Sequence, residues 1–237
     1  MIRLDKYLAD LGIGTRSEVK RNITGGRVKV DGAVVRRPEA KVDIGKQRVD
    51  YLDTPLVYRE YVYYMLNKPA GVVSATRDHR EKTVLDLITG QKRRNLFPVG
   101  RLDKDTEGLL LITNDGELAH RLLAPNRHVD KIYYAVISGI VTAHDIQLFK
   151  NGIDIGKERL TREALLEILS IDQADMQSEI RLTIREGKFH QIKRMFRAVG
   201  KEVIYLKRTA MGSLYLDETL DIGEYRLLTD EELDELC

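Results

Sequence analysis

From Pro98 to Gly116 the chain reads Pro-Val-Gly-Arg-Leu-Asp-Lys-Asp-Thr-Glu-Gly-Leu-Leu-Leu-Ile-Thr-Asn-Asp-Gly, which sets Asp103, Asp105 and Glu107 on alternate positions between two glycines. The pattern predicts a strand ending at Gly100, a polar loop, and an apolar strand from Gly108 that stops at an Asn-Asp-Gly turn. A loop held between two buried strands can present a carboxylate rigidly at the rim of a sheet. Such a carboxylate can serve as a nucleophile or stabilise a cation. Two carboxyls held about 5 to 9.5 Å apart could instead hydrolyse a sugar bond. Composition alone equally permits acids that only cap turns. The five histidines show no metal-ligand spacing, and no metal or cofactor is expected.

The elements that must hold this loop follow from periodicity. Tyr61 to Leu66 is apolar and aromatic enough for a buried strand, stopped by Asn67-Lys68-Pro69-Ala70-Gly71. Further strands are predicted at Leu96 to Val99, Leu109 to Thr113, Lys131 to Ile137, Leu166 to Leu169, Ile180 to Ile184 and Glu202 to Leu206. Helices are predicted at Glu117 to Leu123, His144 to Lys150 and His190 to Val199. Strands dominate without strict strand-helix alternation, so residues 60–237 should form an α+β domain on a mixed, mainly antiparallel sheet.

A smaller module precedes it. Leu4, Tyr7, Leu8 and Leu11 fall at helical spacing and leave Arg3, Lys6 and Asp10 on the opposite side, with Gly12 as the stop. Thr15-Arg16-Ser17-Glu18 is a capping-box pattern that opens a second helix ending at Gly25-Gly26. Arg27 to Val30 and Ala33 to Val35 flank Asp31-Gly32, a strong hairpin signal. Residues 1–50 therefore read as helix, helix, hairpin, and residues 51–59 as a linker.

Charge is uneven along this plan. Residues 1–50 carry 12 Lys and Arg against 7 Asp and Glu, residues 51–216 carry 26 against 21, and residues 217–237 carry 1 against 9. The acidity sits in the tail, and Arg16, Lys20 and Arg21 of the second helix come beside Arg27 and Lys29 on a compact positive surface suited to a phosphate backbone. No apolar run approaches the roughly 20 residues of a membrane span, and Met1 to Asp10 reads as an amphipathic segment instead of a leader. With Cys237 as the single cysteine, no internal disulfide or cysteine-zinc site is expected, and a reducing, cytoplasmic location is.

Longer strings carry a resemblance. "RLDKYLADLGIGTRSEVKRNITGGRVKVDG" resembles the alpha-L RNA-binding module of a small-ribosomal-subunit protein and several RNA-modifying enzymes. "GRLDKDTEGLLLITNDG" resembles the signature of the pseudouridine synthases that modify ribosomal RNA, in the RsuA and RluA branches. "LNKPAGVV", "DKIYYAV" and "REGKFHQIKRMFRAVG" are similar to further segments of that family, so the likeness spans nearly the whole chain. It implies that Asp103 is the catalytic aspartate, Tyr133 the active-site tyrosine and Lys193 the basic partner of the aspartate. Tyr134, facing the other side of its strand, is then expected in the core.

The implied reaction breaks the bond from ribose to ring nitrogen of a uridine, turns the uracil and rejoins the ribose to carbon 5, with nothing external consumed. A nearby ammonium favours the ionised aspartate, and the target base must be flipped out of its stack. Arg101 is expected to fill the vacated gap or bind a phosphate. Lys68, Lys188, His190, Gln191 and Arg194, with Arg208, are expected on the RNA-binding face, together with Arg3, Lys6, Arg16, Ser17, Lys20, Arg21, Arg27 and Lys29 of the front module. "EGKFHQIKRMFRAVG" and "GEYRLLTDEEL" look most like the RsuA type, which implies small-subunit rRNA, or an assembling small subunit, as partner of a monomer with no membrane attachment. The rivals are a synthase acting on large-subunit rRNA, a non-catalytic ribosome-assembly protein, and a carboxylate-pair hydrolase.

Overall fold

The computed structural model describes residues 1–89, 95–124, 128–156 and 160–236. Cys237 lies outside the described residues. The chain divides into two compact units, Met1–Val62 with Ile88–Leu96, and Tyr63–Leu87 with Phe97–Cys237.

The first unit contains β1 (Ile2–Arg3), α1 (Leu4–Asp10), α2 (Arg16–Thr24), β2 (Val28–Val30), β3 (Ala33–Val34), β4 (Lys41–Val42), β5 (Val49–Tyr51) and β6 (Thr54–Leu56). Thr15 and Glu18 cap each other's backbone at the start of α2, as the Thr-x-x-Glu spacing requires. Asp31 and Gly32 both have positive φ, 51° and 82°, the geometry of a two-residue hairpin turn. Leu4, Leu8 and Leu11 pack with Val19, Ile23 and Val28 in one core. The expected linker at 51–59 differs: β5 and β6 form a second hairpin there, completing a sheet in the order β3-β2-β5-β6. Its turn residues Leu52 and Asp53 also have positive φ but no glycine announces them, which is why the segment reads as irregular.

The second unit contains β7 (Tyr63–Lys68), a short 3-10 turn (Val84–Leu87), β8 (Phe97–Pro98), β9 (Glu107–Thr113), α3 (Gly116–Leu123), β10 (Lys131–Ser138) and α4 (Ala143–Asn151). β11 (Leu165–Asp172), β12 (Gln177–Ile184), α5 (Gln191–Ala198), β13 (Glu202–Met211), β14 (Leu214–Tyr215), β15 (Tyr225–Leu227) and α6 (Asp230–Leu236) follow. Its sheet runs β11-β12-β10-β13-β9-β7-β15, with β14 beside β13 and β8 beside β9. The sheet is mixed and mainly antiparallel, as the sequence implies; β13 and β9 are its parallel neighbours. One face buries Met65, Leu109 and Leu111 against Leu118 and Leu122 of α3, and on α4 and α5 Phe149 packs on Phe196 at 4.8 Å between ring centres. The acidic tail folds around its single arginine, since Arg226 bonds Asp217 at 2.6 Å and takes Glu232 in a two-pronged contact at 2.7 Å. Among the described residues no helix is long and apolar enough to cross a membrane.

The parallel join of β9 and β13 depends on a close approach. Gly108 lies opposite Arg208 at φ 97°, and a Cβ there would stand 2.2 Å from the Arg208 carbonyl oxygen. Gly108→Ala should therefore lose about 2–4 kcal/mol of stability, from backbone strain plus steric conflict. Urea unfolding of the two proteins checks this; equal midpoints and slopes would show that the join yields without cost.

Candidate active site

Asp103 sits on the loop between β8 and β9, and the end of β7 with the segment after it clamps that loop. The Lys68 side chain is fully buried. Its ammonium donates to the carbonyl oxygens of Pro69 at 2.9 Å, Asp103 at 3.1 Å, Lys104 at 3.3 Å and Thr106 at 2.8 Å. Burial pushes this ammonium down to about 8, against the pull of Asp105, Glu107 and Asp103, so it stays charged at neutral pH. Ser74 holds the loop a second time, donating from Oγ to the Leu102 carbonyl at 2.8 Å and accepting the Leu102 N–H at 3.0 Å. The Gly71 N–H adds a bond to the Lys104 carbonyl at 2.7 Å.

With its backbone fixed, Asp103 turns its half-buried carboxylate toward α5. Lys193 Nζ lies 3.3 Å from Asp103 Oδ2 and 2.5 Å from Asp105 Oδ1, one ammonium serving two carboxylates. Burial raises the Asp105 carboxyl, but the hydrogen bond and charge of Lys193 outweigh it and hold Asp105 below the usual carboxylate range. His190 Nε2 approaches Asp103 Oδ1 to 3.7 Å. It does so from a left-handed backbone, φ 48°, at the first turn of α5, with its ring stacked on Phe189 at 3.8 Å.

Tyr133 on β10 completes the group. Asp103, Tyr133 and Lys193 together line a recess of about 80 Å³, with Ile184 and Leu206 as apolar walls. Asp103 and Tyr133 also line a larger cleft of about 590 Å³, with Arg101, Lys131 and Arg208 among its other walls. That volume is in the range of small-ligand sites. A carboxylate held beside an ammonium and a buried aromatic ring can serve as a nucleophile or stabilise a cation next to a stacked planar group.

The profile of the RNA pseudouridylate synthase family matches residues 62–198, the segment that supplies this loop, Tyr133 and α5. The chain belongs to that family. Residues 2–47 match the S4 domain. The chain is 48% identical to an uncharacterized RNA pseudouridine synthase, YtzG, of Bacillus subtilis over 98% of its own length and 97% of that protein's. It is 40% identical to ribosomal small subunit pseudouridine synthase A of Escherichia coli, over 98% of each. It is also 40% identical to ribosomal large subunit pseudouridine synthase B of Bacillus subtilis, over 100% of this chain and 96% of that one. A solved pseudouridylate synthase aligns over the full length of both chains with a TM-score of 0.69 and 35% identity. The synthase is thus an RNA-modifying isomerase.

Its structure brings Asp103, Tyr133, Lys193, His190, Lys188 and Arg101 around one opening. Several expected RNA-facing residues are engaged within the protein. Lys68 is internal and holds the loop. Gln191 is also buried; it accepts the Lys188 N–H at 2.9 Å and donates to Glu186 at 2.8 Å. Arg194 donates to the backbone carbonyls of Ile155 and Phe189. Lys188 Nζ donates to the Leu160 carbonyl at 3.1 Å. Arg208 is buried in the cleft wall. In the S4 unit Lys6, Arg16, Ser17, Lys20 and Arg21 are exposed, and so are Arg3 and Arg27, which bond Asp5 at 2.7 Å and Asn22 at 3.0 Å, while Lys29 pairs with Asp53 at 2.5 Å. Tyr133, not Tyr134, is the more buried of the pair; Tyr134 lies on the other face near Tyr205. Sequence reading missed Asp105 as a sharer of Lys193, and Phe189 as an exposed aromatic at the rim.

The position of Lys68 separates two roles by measurement. Lys68→Met strips several carbonyls of their donor and should cost about 2–4 kcal/mol of stability. It should also lower kcat by loosening the loop while RNA affinity stays within about twofold, since no phosphate contact is lost. Urea unfolding and filter binding at fixed salt decide: weakened binding with unchanged stability would return Lys68 to the RNA face.

Proposed function

We propose that this protein isomerises a uridine of small-subunit ribosomal RNA to pseudouridine, with Asp103 as nucleophile. The observation that carries the reading is the Asp103 carboxylate 3.3 Å from the Lys193 ammonium in a recess it shares with Tyr133. The target nucleotide is flipped into the larger cleft at a cost of a few kcal/mol, offset in part by contacts to the extruded base. Asp103 attacks the ribose C1′ as the bond to N1 breaks, the freed uracil turns, and C5 bonds to C1′. Tyr133 offers its ring to the uracil. Lys193 pairs with the carboxylate before attack and after release. Exposed Arg101, at the mouth of the cleft, stands where a side chain could occupy the gap left by the base or hold a phosphate.

Ribosomal RNA as substrate is supported by the two ribosomal relatives, and the S4 unit with exposed Lys6, Arg16, Lys20 and Arg21 suits a phosphate backbone. Identity does not separate the subunits, because both relatives stand at 40%. Small-subunit rRNA is favoured by the strings Glu186 to Gly200 and Gly223 to Leu233, which resemble the RsuA type. The large-subunit relative, covered over the whole of this chain, supports the second reading.

Asp103→Asn is nearly isosteric and should fold and bind RNA as the parent does while single-turnover pseudouridine formation falls by roughly three orders of magnitude or more. Lys193→Met should lower the same rate by on the order of 100-fold and Lys193→Arg by less, because the arginine keeps the charge. Exposed Arg197→Met is the comparison, since Arg194 ties two backbone segments together. Rates are read on transcripts of both ribosomal RNAs. Parent-like turnover by Asp103→Asn would end its assignment as nucleophile, and pseudouridine formed only in the large-subunit transcript would replace the small-subunit reading.

A further inference from the structure

Arg208 has an uncommon environment. It is 2% exposed, on β13, and its Nε donates to the Leu109 carbonyl at 2.8 Å. Among the described residues its Nη2 is buried without any hydrogen-bond partner. A buried N–H of a charged group is normally satisfied, and this one belongs to a residue in the wall of the cleft that Asp103 lines.

The surroundings specify what the vacant donor suits. Arg208 is registered opposite Tyr133 on β10, so the two side chains share a face, and Lys131, two residues before Tyr133, shares it too. All three line the cleft. Burial, and then the nearby charge of Arg208, push the Lys131 ammonium below its ordinary value. The adjacent acid, Asp130, is engaged by Arg185 at 2.6 Å. Two cationic residues thus line the cleft beside the aromatic ring; Lys131 Nζ donates to the Val129 carbonyl at 3.1 Å, and the Arg208 guanidinium, buried in the wall, keeps an Nη2 unpartnered among the described residues. This arrangement fits an oxygen that arrives with the substrate and gains negative charge there.

We infer that Arg208, assisted by Lys131, donates to a carbonyl oxygen of the uracil and stabilises the base as an anion while it is detached from the ribose. The inference rests on the reading of Asp103 above. When Asp103 bonds to C1′, the electron pair of the C1′–N1 bond leaves with N1 and spreads over N1, O2 and O4. A half-turn of the ring about its N3–C6 axis brings C5 to the place of N1 and O4 to the place of O2. One fixed donor therefore meets a carbonyl oxygen before and after the turn. C5 then bonds to C1′, the pair of the Asp103–C1′ bond returns to the carboxylate, the C5 proton departs and N1 gains one. The backbone phosphates are the weaker match, because exposed Arg101 and Arg185 stand at the same cleft while Arg208 is buried in its wall.

The test is a set of cycles pairing Arg208→Met with RNA carrying 2-thiouridine or 4-thiouridine at the target position, read as single-turnover rate at saturating RNA. Sulfur accepts a hydrogen bond poorly, so each thio substitution should slow the parent enzyme. Arg208→Met should slow the uridine reaction by on the order of 100-fold with Kd little changed, and the thio penalty should shrink at least severalfold in that variant for at least one of the two oxygens. Penalties that multiply independently for both oxygens would overturn the inference. So would a loss confined to Kd, which would assign Arg208 to a phosphate. Circular dichroism and melting check folding. If Arg208→Met does not fold, Arg208→Lys and Lys131→Met carry the same cycles, with the same non-additivity expected. Parent turnover on uridine RNA, with its loss in Asp103→Asn, is measured alongside, so failure of the Asp103 reading is seen separately.

Discussion

A single buried ammonium organises this active site. The segment from Val99 to Thr106 is neither helix nor strand, so its carbonyls have no regular ladder to join, and several face inward. Lys68 reaches them from the end of β7 and gathers four from Pro69, Asp103, Lys104 and Thr106. Burying a charge is costly unless it is fully hydrogen-bonded, and an irregular cage of oxygens suits the compact, rotatable lysine head better than the planar fork of arginine. The strand and the loop therefore depend on each other. Removing the carbonyls would leave the ammonium buried without partners, and removing the ammonium takes a donor from each carbonyl, with the Lys104 and Asp103 oxygens keeping only the N–H groups of Gly71 and Thr106.

Because the clamp acts on the backbone of Asp103, its carboxylate is left for α5. The helix begins on His190 in a left-handed conformation, a strained state that persists only where surrounding contacts enforce it. Gln191 supplies some of that enforcement from inside, bonding Lys188 and Glu186. Arg194 supplies more by tying the helix to Ile155 and Phe189. These residues sit inside the string that resembles the family motif, yet they work by placing Lys193 and His190.

The sequence disclosed those features whose causes are local. The Thr15–Glu18 capping box, the Asp31-Gly32 hairpin and the apolar runs of β9, β10 and β12 are written in neighbouring residues, and the structure contains them. What required tertiary knowledge was misplaced. Lys68 follows an apolar strand and precedes Pro-Ala-Gly, so it reads as a polar turn residue; only the loop folded over it makes it internal. Tyr133 and Tyr134 must face opposite sides of β10, but alternation cannot say which side is covered more deeply. The hairpin at Leu52-Asp53 lacks glycine, and its signal is correspondingly faint. Asp103 and Lys193 are 90 positions apart in sequence, and it was their family resemblance, not their spacing, that joined them.

The proposed chemistry asks two opposite things of one cleft. Breaking the bond between ribose and N1 separates charge: the sugar carbon becomes electron-poor and the departing ring electron-rich. A site with a single sign of potential would favour one fragment at the expense of the other. Here the sign changes across the opening. Asp103 and Asp105, balanced by Lys193, lie on the loop and α5, while Lys131 and Arg208 lie on β10 and β13 with Tyr133 among them. Fixed groups of this kind need not reorganise as charge develops, which is the main electrostatic advantage of a folded site over water. The same demand accounts for the rigidity of both walls. The loop is clamped by Lys68 and Ser74, and the opposite wall belongs to the paired strands β10, β13 and β9, closed at Gly108 by an approach that a side chain would disrupt. A base that must turn between two bonds needs space to rotate and charges that do not move with it, and the cleft supplies both.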